Sequence, residues 1–254
     1  QLESVLREHE SIGVLLADRQ RARMFVFEVG ELVERSELFE EALRDIDGRG
    51  DRDRGDHAQA FEARDHQHVR TAAHVAFTVW GQHPFAHLAI AAPDALAGQL
   101  EAALHPYLRE RLAGRLSVPV TASHEQVLAA AQQIEAEVER ARQAEIVDRL
   151  RAAVSAGRRG AAGLADVVEA LGEHRVDTLL VSSGYSAPGW RCTSCDRLAA
   201  MGRRCRTCKQ EMVEVEDLVE DAVEEALAQQ CQVEICIGNA DLDVMGRAGA
   251  LLRY

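Results

Sequence analysis

Short apolar runs separated by polar turns open the chain. Residues 12–17 are apolar throughout and predict a buried strand, and residues 22–29 predict a second strand. The polar turn between them indicates a hairpin. A third strand is expected at about residues 32–36. Residues 45–57 are polar, rich in Gly, Asp and Arg, and without periodicity, which predicts an exposed loop.

The following segment has the spacing of an amphipathic helix. Apolar residues recur at helical intervals from about residue 58 to residue 80. Polar residues four positions apart form a second face, which consists of Glu62, His66, Arg70 and His74. We then expect a strand at 87–91, a helix that Asp94 caps and Pro106 interrupts, and a strand at 116–121.

Helices and strands alternate in the second half of the chain. Ser123 and Gln126 fit a capping box, which predicts the start of a long amphipathic helix. Glycines between residues 157 and 163 end the helical pattern. The elements expected after them are helices near 164–173 and 216–230 and strands at 176–182, 232–237 and 249–253.

The composition is that of a globular protein, with 47% hydrophobic and 28% charged residues. No apolar run approaches the ~18 residues of a membrane-spanning helix, and nothing at Gln1 resembles a signal peptide. We therefore expect a cytoplasmic protein without a membrane partner. The formal net charge of −13 excludes a general nucleic-acid coat protein.

Two Cys-x-x-Cys pairs carry the clearest chemical signal. They are Cys192 with Cys195 and Cys205 with Cys208, with nine residues between the pairs. Each pair directs two thiolates at one centre, and two pairs supply the four ligands of a tetrahedral zinc site. Disulfides are the alternative, which a cytosolic protein disfavours. Because all four positions are cysteine, no coordination position is left open, and the pattern predicts a structural Zn²⁺ without a catalytic role.

Other groups near this segment leave alternatives open. Its five basic residues between 192 and 212 could contact RNA phosphate or only face solvent. Cys231 and Cys236 flank a predicted strand on opposite sides, and we expect buried free thiols there.

These elements together predict an α/β protein with two domains. Residues 1–121 would form a mixed α+β domain. Residues 122–254 would form a three-layer α/β sandwich with a zinc-ribbon insertion at about residues 184–212.

Six of the ten histidines lie between residues 57 and 87. A metal or acid–base site is one interpretation, but Arg70 lies between His66 and His74, and a cation there disfavours a metal. The sequence contains no zinc-protease, phosphate-loop or hydrolase-elbow motif. A solvated or RNA-facing helix is favoured over core histidines, and catalysis is the third alternative.

Several segments resemble the class-1 peptide chain release factors of archaea and eukaryotes. The stretch from Gly246 to Tyr254 resembles the Gly-Gly-Ile-Gly-Ala-Ile-Leu-Arg-Tyr motif near the end of that family, from which Arg247 and Ala248 depart. Residues 163–181 are similar to a helix–strand unit of the family's third domain, after which archaeal members carry a zinc-binding insertion.

The first half of the chain resembles the second domain of the same family. Residues 12–29 are similar to its opening hairpin, and residues 64–75 to the helix after its catalytic loop. Release activity in the family depends on a Gly-Gly-Gln loop. The corresponding stretch here has Ala58 before Gln59, and the glycine pair that lets backbone approach the ester is missing.

The resemblance therefore implies a non-catalytic bacterial member of the superfamily, Pelota-like or Balon-like, with no catalytic residues. Such a factor would occupy the ribosomal A site, contact rRNA or tRNA there in hibernation or rescue, and meet a translational GTPase such as elongation factor Tu. The RNA-binding residues would be Arg49, Arg52, Arg54, His57, Arg64, His66, His68, Arg70 and His74. A peptidyl-tRNA or RNA hydrolase acting through His57, and a module that binds only protein, are the alternative hypotheses.

Overall fold

A computed structural model describes residues 11–28, 31–39 and 54–254; the side chains of residues 37–39 and 54–65 lie outside this description. The described chain forms two compact units, and the boundary between them lies between Val138 and Glu139. The domain boundary near residue 121 stays a prediction.

A five-stranded sheet forms the centre of the first unit. Its strands are β1 (Ile12–Ala17), β2 (Arg21–Glu28), β3 (Glu31–Phe39), β4 (His87–Ala91) and β5 (Leu112–Arg115). They lie in the order β3-β2-β1-β4-β5. The first three pair as antiparallel neighbours, whereas β4 runs parallel to both β1 and β5.

Helices cover both faces of this sheet. They are α1 (Arg54–Gln82), α2 (Asp94–Ala103), α3 (Pro106–Arg109) and the start of α4 (His124–Ser155). One face packs Leu15 and Ile90 against α1 and α2. The other face packs Val14 against Val127 and Ala131 of α4. Successive side chains of a strand point to opposite faces, so covering both faces explains why all six residues of β1 are buried.

Most of the predicted elements of this unit are confirmed. The hairpin, α1, β4 and the break at Pro106 all occur, and α1 begins at Arg54, inside the segment predicted to be a loop. The capping box is also confirmed, because the Ser123 N–H donates to the Gln126 side chain at 3.0 Å and the Gln126 N–H donates to Ser123 Oγ at 3.3 Å.

The strand expected at 116–121 is wrong. The edge strand β5 comes earlier, at Leu112–Arg115. Leu116 still donates its N–H to Ile90 at 2.7 Å, but the chain then leaves the sheet and reaches Pro119, which has no N–H for a ladder. The alternating Leu116, Val118 and Val120 pack against the core on the α4 face instead of forming a strand.

The second unit contains a four-stranded sheet and a small three-stranded sheet. Its strands are β6 (Gly160–Ala162), β7 (Val176–Ser182), β8 (Gly189–Cys192), β9 (Leu198–Ala199), β10 (Met212–Val215), β11 (Gln232–Cys236) and β12 (Ala248–Leu252). The large sheet has the order β11-β7-β12-β6, and the small one has the order β10-β8-β9. Only β11 and β7 run parallel in the large sheet.

Three layers result in the second unit. Helices α5 (Leu164–Gly172) and α6 (Leu218–Ala228) cover one face of the large sheet, where Val167 and Leu179 are buried. The end of α4 and the short α7 (Ala240–Val244) cover the other face, where Leu150 and Leu180 meet. The α/β fold class is confirmed.

No helix in the part of the chain that the structure describes is both long enough and apolar enough to cross a membrane.

Candidate metal centre

Two tight turns in the small sheet bring the four cysteines together. Cys192 ends β8 and Cys195 lies in the turn after it, while Cys205 and Cys208 lie between β9 and β10. An isolated antiparallel bridge between Arg204 and Glu211 closes the second turn. The four sulfur atoms all lie within 4.8 Å of one another.

The two turns have the same backbone hydrogen bonds. In each, the N–H of the first cysteine donates to the carbonyl five residues later, at 2.9 and 2.8 Å. The N–H of the residue after the second cysteine donates back to the first cysteine's carbonyl, at 3.0 Å in both turns. Those residues, Asp196 and Lys209, have positive φ values of 54° and 64°. The turn therefore imposes a left-handed backbone that glycine would adopt at lower cost.

The sulfur positions fit a tetrahedral metal site. The Sγ atoms of Cys192 and Cys208 are 3.3 Å apart, and Cys195 Sγ lies 3.6 Å from both Cys205 Sγ and Cys208 Sγ. A zinc ion bound at ~2.3 Å by four sulfurs separates them by ~3.8 Å, whereas a disulfide bond measures ~2.05 Å. All four thiols are free. The donor set and its spacing therefore fit a metal ion.

The electrostatics of the four thiols favour a bound cation. The N–H of Ser194 lowers the pKa of Cys192, and the N–H of Cys208 lowers the pKa of Cys205 to about 6. The N–H of Arg197 lowers the pKa of Cys195, but burial and the neighbouring thiols outweigh it and raise that pKa to about 12. Negative charges at this separation repel one another, so four thiolates need a cation between them.

The apolar core of the small sheet is too small to hold these turns alone. It consists of Cys192, Cys205 and Met212, with Trp190 and Ala199 half-buried beside them. Structural zinc sites supply folding energy directly, and four cysteine ligands leave no position for a substrate or water. The arrangement can therefore stabilise the fold but cannot activate a nucleophile.

Side-chain contacts fix the small sheet to α5 and α6. Leu198 and Val215 pack against the core beneath these helices. Arg191 of β8 donates to Asp221 of α6 at 2.7 Å. A Cβ atom at Gly189 would lie 2.5 Å from Leu218 Cδ2, so β8 approaches α6 as closely as a glycine allows.

The residues predicted to bind RNA differ in how far the structure describes them and in their exposure. Arg49 and Arg52 lie outside the described residues, and Arg54, His57 and Arg64 lie on α1 without described side chains. His66, Arg70 and His74 are exposed on one face of α1, as their spacing indicates. His68 is buried, with 2% of its side chain exposed, so it packs inside the unit.

The two remaining cysteines are buried free thiols on opposite faces of the large sheet, as predicted. Cys231 packs on the side of α5 and α6, and its thiol donates to the Val176 carbonyl at 3.2 Å. Cys236 packs on the side of α4 and α7.

Sequence reasoning missed Asp196 and Lys209, whose positive φ completes the two turns. Their signal is positional: each follows the second cysteine of a pair, where the repeated hydrogen bonds require a left-handed residue.

Comparisons with known proteins point to one family. The profile of Bacterial archaeo-eukaryotic release factor family 10 matches residues 1–136, which is more than half of the chain. Curated protein sequences give no match.

Solved structures show a similar fold over nearly the whole chain. Archaeal Pelota, in a model of ribosome-bound Pelota and ABCE1, is 16% identical with a TM-score of 0.54; the match covers 95% of this chain and 61% of that one. Dom34 of S. cerevisiae, described as a translation termination-like factor, is 9% identical with a TM-score of 0.50, covering 96% and 63%. Pelota of Archaeoglobus fulgidus is 20% identical with a TM-score of 0.49, covering 100% and 68%. The chain thus spans about two thirds of the length of these proteins.

Proposed function

Because the chain belongs to Bacterial archaeo-eukaryotic release factor family 10, we propose that it is a non-catalytic, ribosome-binding translation factor. Its site of action would be the ribosomal A site, in hibernation or rescue. Family membership carries this proposal. The similar fold of an archaeal Pelota whose structure is ribosome-bound supports it.

The absence of a release motif supports a role without ester hydrolysis. The sequence contains no two consecutive glycines and therefore no Gly-Gly-Gln. A backbone that approaches an ester closely needs the space and conformational freedom of glycine. The factor would occupy the A site without cleaving peptidyl-tRNA.

The exposed face of α1 is the RNA contact that this proposal favours. His66, Arg70 and His74 lie along it, and the planar guanidinium of Arg70 can donate two hydrogen bonds to one phosphate. Because 42 acidic residues outnumber the 29 basic ones, binding to RNA would be local and sensitive to salt.

The second unit would carry the metal and meet a protein partner. A structural Zn²⁺ held by Cys192, Cys195, Cys205 and Cys208 is the metal that four thiolates favour. A translational GTPase, such as elongation factor Tu, is the proposed partner in the cytoplasm. Dom34 is described as interacting with Hbs1, which supports a contact of this class.

Cosedimentation with ribosomes at moderate salt tests the proposal. We expect wild-type protein in the ribosome pellet, and we expect Arg70→Glu to reduce that fraction several-fold because it reverses a charge at a phosphate contact. Arg158→Glu, a reversal at an exposed position of the second unit, is the matched control and should pellet like the wild type. A wild-type fraction no greater than that of an unrelated acidic protein would contradict the proposal.

Two further measurements separate the alternative functions. We expect no release of peptide from peptidyl-tRNA; hydrolysis that His57→Ala abolishes would favour a hydrolase. Complex formation that ignores both salt and ribonuclease treatment would favour a module that binds only protein.

A further inference from the structure

An aromatic and cationic cluster lies at the C-terminal end of α1 in the first unit. The Phe77 ring stacks on His105 at 4.0 Å between centroids and on Trp80 at 5.8 Å. The Tyr107 ring lies 5.1 Å from His105 and 6.0 Å from Trp80. The Arg111 guanidinium sits 4.9 Å above the Trp80 ring. The five side chains form one continuous group, which the predicted function does not use.

Tyr107 is the outward-facing member of this cluster. It is 54% exposed, whereas Phe77 and Trp80 pack partly against the core of the sheet. Hydrogen bonds hold its backbone: the Tyr107 N–H donates to His105 Nδ1 at 3.3 Å, and Arg111 donates to the Tyr107 carbonyl at 2.8 Å. Because the ring already contacts His105 and Trp80, it loses little conformational freedom when a second ring stacks on it.

Charge around the cluster is net positive. Arg109 and Arg111 lie beside Tyr107 in the chain, with Glu110 as the exposed carboxylate between them. Glu101 of the neighbouring α2 is paired with Arg115 at 2.7 Å. Cationic side chains therefore outnumber the carboxylates that lack an ion-pair partner among these residues, which favours an anionic ligand.

The cluster continues the polar face of α1. Phe77 follows His74 by three positions, and His66, Arg70 and His74 follow one another by four, so all four lie on one side of the helix. At 1.5 Å per residue, His66 and Phe77 are about 16 Å apart along the helix axis. Cationic groups and aromatic rings thus form one strip a few nucleotides long.

We propose that this strip binds an unpaired RNA segment, with a nucleobase stacked on the Tyr107 ring. Aromatic rings held next to guanidinium groups are the standard means by which proteins bind single-stranded RNA without reading its sequence. The proposal rests on the proposed function, since the RNA in question would be an unpaired stretch of rRNA or tRNA at the A site. The arginines beside the ring favour RNA, in which every nucleotide carries a phosphate. Tyrosine and arginine are also common in interfaces between proteins, so a protein partner is the contrary outcome of the test below.

Binding of a labelled single-stranded RNA of about ten adenosines, followed by fluorescence anisotropy, tests the stacking contact. We expect Tyr107→Ala to weaken binding about tenfold and Tyr107→Phe, the matched control that keeps the ring, to bind like the wild type. Tyr107→Leu keeps an apolar side chain without the ring and should bind like Tyr107→Ala. Arg111→Gln should weaken binding several-fold and lower its salt dependence.

Three results would overturn the proposal. They are wild-type protein that does not bind this RNA, which would favour a protein partner; Tyr107→Ala that binds it like the wild type; and Tyr107→Leu that keeps wild-type affinity for the RNA, which would show that no base stacks on the ring. Each variant is checked by circular dichroism and thermal unfolding, and the exposure of Tyr107 leads us to expect unchanged stability.

Ribosome cosedimentation separates this proposal from the proposed function. Wild-type protein that binds the RNA but does not pellet with ribosomes would overturn the proposed function and leave the RNA site supported. Wild type and Tyr107→Ala that pellet equally would overturn the stacking contact and leave ribosome binding supported.

Discussion

Removal of the metal should unfold the small sheet of the second unit and leave the large sheet folded. The perturbation is a strong zinc chelator or, independently, Cys205→Ser. The core of the small sheet contains one buried long apolar side chain, Met212, with Trp190 half-buried beside it, and the two together contribute roughly 3–4 kcal/mol. Zinc bound by four thiolates contributes ~10–16 kcal/mol. A zinc ion bound there would therefore contribute several times more to the stability of this segment than its apolar core does.

The large sheet has two apolar cores of its own. It loses the ion pair between Arg191 and Asp221 and the apolar contacts of the small sheet, of which the half-buried Leu198 and Val215 contribute roughly 1 kcal/mol each. Hydrogen exchange followed by mass spectrometry should show faster exchange over residues 189–215 and unchanged protection in β7 and β12. Native mass spectrometry should find one zinc per chain in the wild type and none in Cys205→Ser.

Cys231→Ser is the matched control, because this thiol is buried in the same unit outside the cluster. We expect it to keep the zinc. Protection of residues 189–215 that survives complete removal of the metal would refute the reasoning, as would a wild-type chain purified without any metal under non-chelating conditions.

Three further predictions follow from the same geometry. Alkylation at pH 8 should modify no thiol in the zinc-bound protein, four thiols after chelation and six after denaturation. The last two react only after denaturation because burial raises the pKa of Cys236 to about 11 and also raises the pKa of Cys231. Peptide mapping identifies the modified thiols, and alkylation of Cys231 or Cys236 before denaturation would contradict the prediction. Lys209→Gly should stabilise the small sheet by about 0.5–1 kcal/mol, because φ is +64° at this position. Lys209→Ala keeps the Cβ atom and should not stabilise the sheet. Competition with a chelator for the metal measures the stability of both variants. Gly189→Ala should destabilise the protein by about 1–3 kcal/mol in urea unfolding, because its Cβ would meet Leu218, whereas Gly98→Ala in α2 has open space and should stabilise it slightly.

The cysteine spacing shows how much of a site a short motif can determine. Two residues between the thiols fix the turn, and two such turns bring four sulfurs within 4.8 Å. The residue types at Asp196 and Lys209 do not reveal the left-handed backbone there, because glycine is the residue that adopts it freely, whereas Asp is only enriched in it and Lys is not.

Long periodic elements could also be predicted because burial is periodic. The apolar spacing of α1, the continuous apolar run of β1 and the capping box of α4 each reflect a local rule. The strand predicted at residues 116–121 is wrong because alternating apolar and polar residues indicate only that one side of the segment is buried. Leu116, Val118 and Val120 pack against the core on the α4 face without forming a strand.

The sequence by itself determined the α/β class, most elements, the four converging thiols and the family resemblance, because each depends on residues close together in the chain. Only the tertiary structure decided that His68 is buried while its neighbours His66 and Arg70 are exposed. It also brought Phe77 and Trp80 of α1 against His105, Tyr107 and Arg111. The physical reason is that such contacts depend on how α1 and α3 pack, which no local spacing records.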